Sequence, residues 1–119
     1  RENKNDNHAN EGFAHEGKEL RQFMAARGNM IVINGDRHWQ YVSVDDDTGL
    51  REFGTGPHSN EHASGWKQED VRPEHQYLKL QGGFLQVNVI REEGIPKMIL
   101  RHRDVDGTIC NEVTLPDPK

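Results

Sequence analysis

Asp36 and His38 stand two residues apart in the segment Gly35-Asp36-Arg37-His38. At that spacing a turning backbone can aim one carboxylate and one imidazole into the same pocket, a donor set that suits zinc, iron or manganese better than calcium alone. Gly35 has no side chain to obstruct the approach of backbone to an ion. A short Asp-x-His spacing has many accidental matches, in which the Asp caps a turn and the His is an ordinary surface residue, so its setting has to decide. Arg37 could hold a phosphate through its planar fork. Lying between two inward ligands it would point away instead, and a structural salt bridge is the expectation.

Other polar clusters carry less chemistry. His58 and His62 have the spacing of a helical metal pair, but Pro57, Ser59 and Gly65 leave little room for that helix. Asp45, Asp46 and Asp47 lack the alternation and distal Glu of a calcium loop and read as a solvated hairpin turn. Lone Cys110 has no internal disulfide partner and reads as a small side chain in a strand.

The elements that must position Asp36 and His38 follow from periodicity. Leu20, Phe23 and Met24 form one apolar stripe in a stretch of helix formers, which predicts a helix over Glu16 to Ala26. Gly28 can close it in the left-handed conformation, and Phe13 lies where it can pack on the first turns. Met30 to Ile33 is a short β-branched run, read as a strand buried on both faces. Helix, tight turn and buried strand make an α/β unit, whose ligand site lies beyond the carboxyl end of the strand, where Asp36 and His38 fall.

Gln40 to Val44 and Leu50 to Phe53 flank the Asp-rich turn and predict a hairpin, with Trp39 and Tyr41 packed beneath the site. A long loop is expected from Gly54 to Glu74. Tyr77 to Leu80, Phe84 to Arg91, Lys97 to Arg103 and Ile109 to Leu115 are expected to form an antiparallel meander. The fold class is therefore α+β.

Composition bounds the partners. Apolar residues make up 32% and charged residues 29%, so the core of a single domain over residues 1–119 would be thin. Residues 1–12 read as a flexible start and 116–119 as an exposed tail, and the chain is expected to be an excised piece of a longer one. A net charge of −5 with scattered Lys and Arg argues against nucleic-acid binding, and seven His in an acidic chain point toward cations. No apolar run is long enough for a transmembrane segment.

The runs Val32-Ile33-Asn34-Gly35-Asp36-Arg37-His38-Trp39-Gln40-Tyr41, Glu52-Phe53-Gly54-Thr55-Gly56-Pro57 and His62-Ala63-Ser64-Gly65-Trp66 add a specific likeness. Together they resemble the C-terminal part of the alkaline phosphatase D (PhoD-like) family, within the calcineurin-like metallophosphoesterase superfamily. The likeness covers about Asp6 to Trp66 and is architectural thereafter. It implies a β-sandwich flanked by helices, a two-metal site at the strand ends, and hydrolysis of a phosphomonoester or phosphodiester substrate by metal-activated water.

In the superfamily the last ligand motif is usually Gly-His-x-His. This chain keeps the second histidine as His38 and has Asp36 in place of the first, similar to PhoD-like members, so the resemblance implies that both bind metal (Fe, Zn, Mn or Ca). Asp6 and His8 fall where these proteins have a loop beside the active site; they face substrate or metal, or belong to a frayed polar terminus. The earlier ligand motifs of the superfamily have no counterparts here. Hairpins and a tail follow Asp36-Arg37-His38, so it reads as the last motif and not the first. The N-terminal remainder of a parent chain is therefore the implied partner, and the isolated segment is expected to be inactive. Export to the periplasm or outside the cell is implied by the resemblance alone. The competing reading is a non-catalytic interaction module with an exposed sheet face.

Overall fold

A computed structural model describes residues 11–60, 67, 69 and 71–116. Among these, a short 3-10 turn at Glu11–Phe13 leads into the helix α1 (Ala14–Arg27), which ends as expected on Gly28. Gly28 takes φ +70, and its N–H donates to the Ala25 carbonyl at 3.0 Å. That left-handed residue closes the helix at no Cβ cost. The turn at Glu11–Phe13 overlaps the end of the stretch expected to be a flexible start. On α1, Leu20 and Phe23 stay largely exposed and Met24 is half-covered. An ion pair from Arg21 to Asp45 at 3.1 Å ties the helix to the far end of the first hairpin.

Two sheets follow, which makes the fold α+β. The first contains β1 (Val32–Asn34), β2 (Gln40–Val44), β3 (Arg51–Thr55) and β4 (His75–Lys79), in the order β1-β3-β2-β4. The pair β1 and β3 is parallel, and β2 is antiparallel to both β3 and β4. The second is an antiparallel meander of β5 (Phe84–Glu92), β6 (Ile95–Arg103) and β7 (Ile109–Leu115). The expected β2–β3 hairpin is present. Its turn is closed by the Asp45 carboxylate, which accepts from the Thr48 hydroxyl at 2.7 Å and from the Thr48 N–H at 3.2 Å.

Two expectations are corrected. The strand expected over Tyr77 to Leu80 does not open the meander; as β4 it joins the first sheet beside β2, with Tyr77 opposite Val42. That register buries part of the Tyr77 ring against the core, so Gly82 and Gly83 carry the chain from one sheet to the other and do not form a hairpin. The strand expected to be buried on both faces is an edge strand: β1 has β3 as its neighbour, and Ile33 is 48% exposed. A β-branched run favours extended backbone wherever it lies in a sheet, and edge position set its burial.

The two sheets meet through Val42 and Phe53 on one side and Leu100 on the other, all fully buried, with Ile31, Tyr77, Leu85, Met98, Val113 and Leu115 packed around them. The core is as thin as the composition implied. Polar groups add to the joint. Buried Gln40 donates from Nε2 to the Gly82 carbonyl at 2.8 Å and to the Arg103 carbonyl at 3.1 Å, linking β2 to the start and end of the second sheet's first hairpin. Gln40→Leu leaves both carbonyls without that donor, and it should destabilise the fold by about 2 kcal/mol. A urea titration that shows an unchanged midpoint would contradict this.

Helices long and apolar enough to cross a membrane are absent among the described residues.

Candidate metal-ligand turn

The segment between β1 and β2 turns sharply. The Arg37 N–H donates to the Gly35 carbonyl at 2.8 Å across Asp36, whose φ is +65. A three-residue turn with positive φ at a central non-glycine residue is rare and strained, at a cost of about 1–3 kcal/mol, although Asp tolerates this region better than most residues. The turn sits at the carboxyl end of β1, as expected, and the strand paired with β1 is the parallel β3. Asp36 and His38 face solvent on either side of Arg37, which is the more covered of the three.

A connected polar cluster lies behind the turn. Asn34, the last residue of β1, donates from Nδ2 to the Tyr41 hydroxyl at 2.7 Å and also to the Glu52 carboxylate. The Tyr41 hydroxyl donates to the same Glu52 oxygen. Strand register brings the three together: Asn34 lies opposite Gly54 on β3, Gly54 lies opposite Tyr41 on β2, and Glu52 lies opposite Ser43.

Gly54 makes room for this arrangement. A Cβ there would stand 2.1 Å from Tyr41 Cε1, so a side chain at this position would displace the ring. Burial, and secondly the Glu52 charge, push the Tyr41 phenol above its ordinary range, which keeps the hydroxyl protonated as a donor. The positive field of Arg37 acts on the same hydroxyl in the opposite sense. Asn34 Oδ1 is buried and lacks a hydrogen-bond partner among the described residues.

Trp39 and Tyr41 are both buried, as expected of residues packed beneath the turn. His58 is exposed, and His62 lies outside the described residues, as do Asp6 and His8. Cys110 is half-buried in β7, with the Lys79 ammonium 3.3 Å from its sulfur.

Asp36 and His38 supply one hard oxygen and one imidazole nitrogen, which fits a borderline divalent ion. Among the described residues no three His, Cys, Asp or Glu side chains converge, so an ion on this turn would need further ligands from elsewhere. Sequence reasoning did not single out Asn34 and Glu52 as a unit with Tyr41. Its only signal was that Asn34 and Tyr41 fall in one, and Glu52 and Gly54 in another, of the runs that carry the family likeness.

No family model matches the chain, and neither a curated protein nor a solved structure does.

Proposed function

We propose that this chain is the C-terminal segment of a metal-dependent phosphoesterase similar to the PhoD-like phosphatases, and that Asp36 and His38 are its contribution to a dinuclear centre. The observation that carries the reading is the strained turn at Asp36, at the carboxyl end of a strand in a parallel pair. Backbone strain of this kind concentrates at functional sites, where neighbouring structure holds it in place. Asp36 and His38 are both exposed, which suits a ligand set completed by residues from another part of a larger protein.

The metals, when bound, would activate water for in-line attack on a phosphoester. Asp36 and His38 would hold them, and Arg37 is placed to act on the turn's polar underside. Export accompanies this reading through the family likeness.

The test uses the longer parent chain, which on this reading carries Asp-x-His, Gly-Asp and Asn-His motifs upstream. His38→Ala and Asp36→Ala should each lower hydrolysis of a chromogenic phosphoester by about a hundredfold or more, with a matching loss of bound metal by elemental analysis. Losing a supporting group outside the ligand set already costs about 10–100-fold in metal affinity or activity. The segment alone should not hydrolyse the ester above background. Full activity in His38→Ala, or a parent chain without those upstream motifs, would end the proposal.

A further inference from the structure

We infer that the Glu52 carboxylate is the positioning group of the Asp36 turn: it receives Asn34 from before the turn and Tyr41 from after it, and so clamps both ends to β3.

The turn leaves β1 at Asn34 and enters β2 at Gln40, so Asn34 and Tyr41 bracket it closely in sequence. Their polar groups meet on one Glu52 oxygen, and Asn34 also donates to the Tyr41 hydroxyl at 2.7 Å. The three groups therefore form a closed triangle beneath the turn. Hydrogen bonds to a charged acceptor are about twice as strong as neutral ones, and partial burial strengthens them further.

The components are specialised for holding. Tyr41 is 7% exposed, and its ring lies where Gly54 leaves space, so the hydroxyl has little freedom. Asn34 is half-buried, with its Nδ2 committed to the triangle. Asp36, by contrast, carries backbone strain with its side chain in solvent. Such strain persists only where surrounding structure over-determines it. The triangle supplies that constraint from the two strand ends, and a two-ended clamp leaves the turn one arrangement in which Asp36 and His38 are presented together.

The purpose given to the clamp rests on the phosphoesterase reading, whereas the order of the turn can be measured without any metal. The first measurement is the 15N backbone order parameter of Asp36, Arg37 and His38 in this chain. It should be near the value of rigid backbone, about 0.85, and should fall below about 0.6 in Tyr41→Phe and in Glu52→Leu. Glu52→Gln should restore much of the order, because its amide oxygen still accepts from both donors. The amides of β5 to β7 should be unchanged in all three variants, which separates a loosened turn from a damaged fold. A turn already flexible in the unaltered chain, or one that stays rigid in folded Tyr41→Phe, overturns the clamp.

The second measurement is kinetic and uses the longer parent chain. There Tyr41→Phe should lower kcat about tenfold with KM changed less than about twofold, the pattern of lost ligand positioning and not of lost substrate binding. An unchanged kcat with a loosened turn overturns the positioning role. A parent chain with no phosphoesterase activity removes the proposed function and leaves the clamp standing or falling on the order parameters.

Discussion

Phe53→Ala is expected to remove most of the stability of this fold. Phe53 is fully buried on β3, opposite Val42 on β2 and Ile33 on β1, so its ring lies where three strands of the first sheet face the second. It also lies roughly parallel to the His102 ring of β6, with centroids 6.3 Å apart. Val42, Phe53 and Leu100 are the fully buried apolar centre among the described residues, and the large side chains packed against them are themselves only partly buried, so filling a void would draw on side chains already half in solvent. Truncating a buried phenylalanine costs about 3–5 kcal/mol, the lost burial plus the residual cavity. Domains of this size have about 5–15 kcal/mol in total, and a thin core places this one toward the lower end. Urea unfolding followed by tryptophan fluorescence should show the midpoint falling to a small fraction of its original value. Val89→Ala is the contrasting variant: Val89 is 69% exposed on β5, and its loss should change stability by no more than about 0.5 kcal/mol. Equal effects from the two substitutions would mean that the sheets do not meet through Phe53.

The same packing explains what could be read from the chain and what could not. The helix, its Gly28 stop, the β2–β3 hairpin and the β5–β7 meander depend on neighbours close in sequence, and periodicity and turn residues announced them. The allegiance of β4 depends on distant partners. Tyr77 pairs with Val42, and nothing in His75 to Lys79 distinguishes a strand of one sheet from a strand of the other. The exposure of β1 was hidden for a related reason, since Val32 and Ile33 would read alike in the middle of a sheet or at its edge.

At the turn the division is similar. Gly35 to His38 declared themselves by residue type and by following a strand, but the triangle beneath them did not. Asn34 and Tyr41 are 7 positions apart and Tyr41 and Glu52 are 11 apart, and only the combined β1–β3 and β2–β3 registers join them. A glutamate in a strand ordinarily reads as a solvent-facing residue, so Glu52 gave no local sign of its role.

His102 gives the fold an expected sensitivity to mild acid. The ring is fully buried between the sheets, with Nε2 3.0 Å from the Gly54 carbonyl, to which it donates. Nδ1 is buried and has no hydrogen-bond partner among the described residues, so it holds a bare lone pair. Around the ring lie Phe53 from β3, Tyr77 from β4 at 5.0 Å between centroids, and the registered neighbours Leu85 on β5 and Asn111 on β7. The one titratable group among these is the Tyr77 phenol, pushed upward chiefly by burial and therefore neutral throughout the range of interest. The Asp104 carboxylate, which acts on Tyr77 from further out, is paired with Lys79 at 2.9 Å.

Burial holds the His102 pKa below its ordinary value of 6.5, and the bond to Gly54 offsets only part of that shift. The unfolded chain then binds the proton first as pH falls. Stability is therefore fully present above about pH 7.5, declines as pH falls through 6.5, and stops declining once the folded state is protonated too, with a slope of at most about 1.4 kcal/mol per pH unit. The depressed carboxylates of Asp104 and Glu92 act in the same sense but only below about pH 4.5, outside this window. His102→Gln keeps a donor for the Gly54 carbonyl and removes the titration. Urea midpoints measured between pH 7.5 and 5.5 should decline in the unaltered protein and stay nearly level in the variant. Parallel pH profiles would show that His102 can take up its proton without leaving the interface between the sheets.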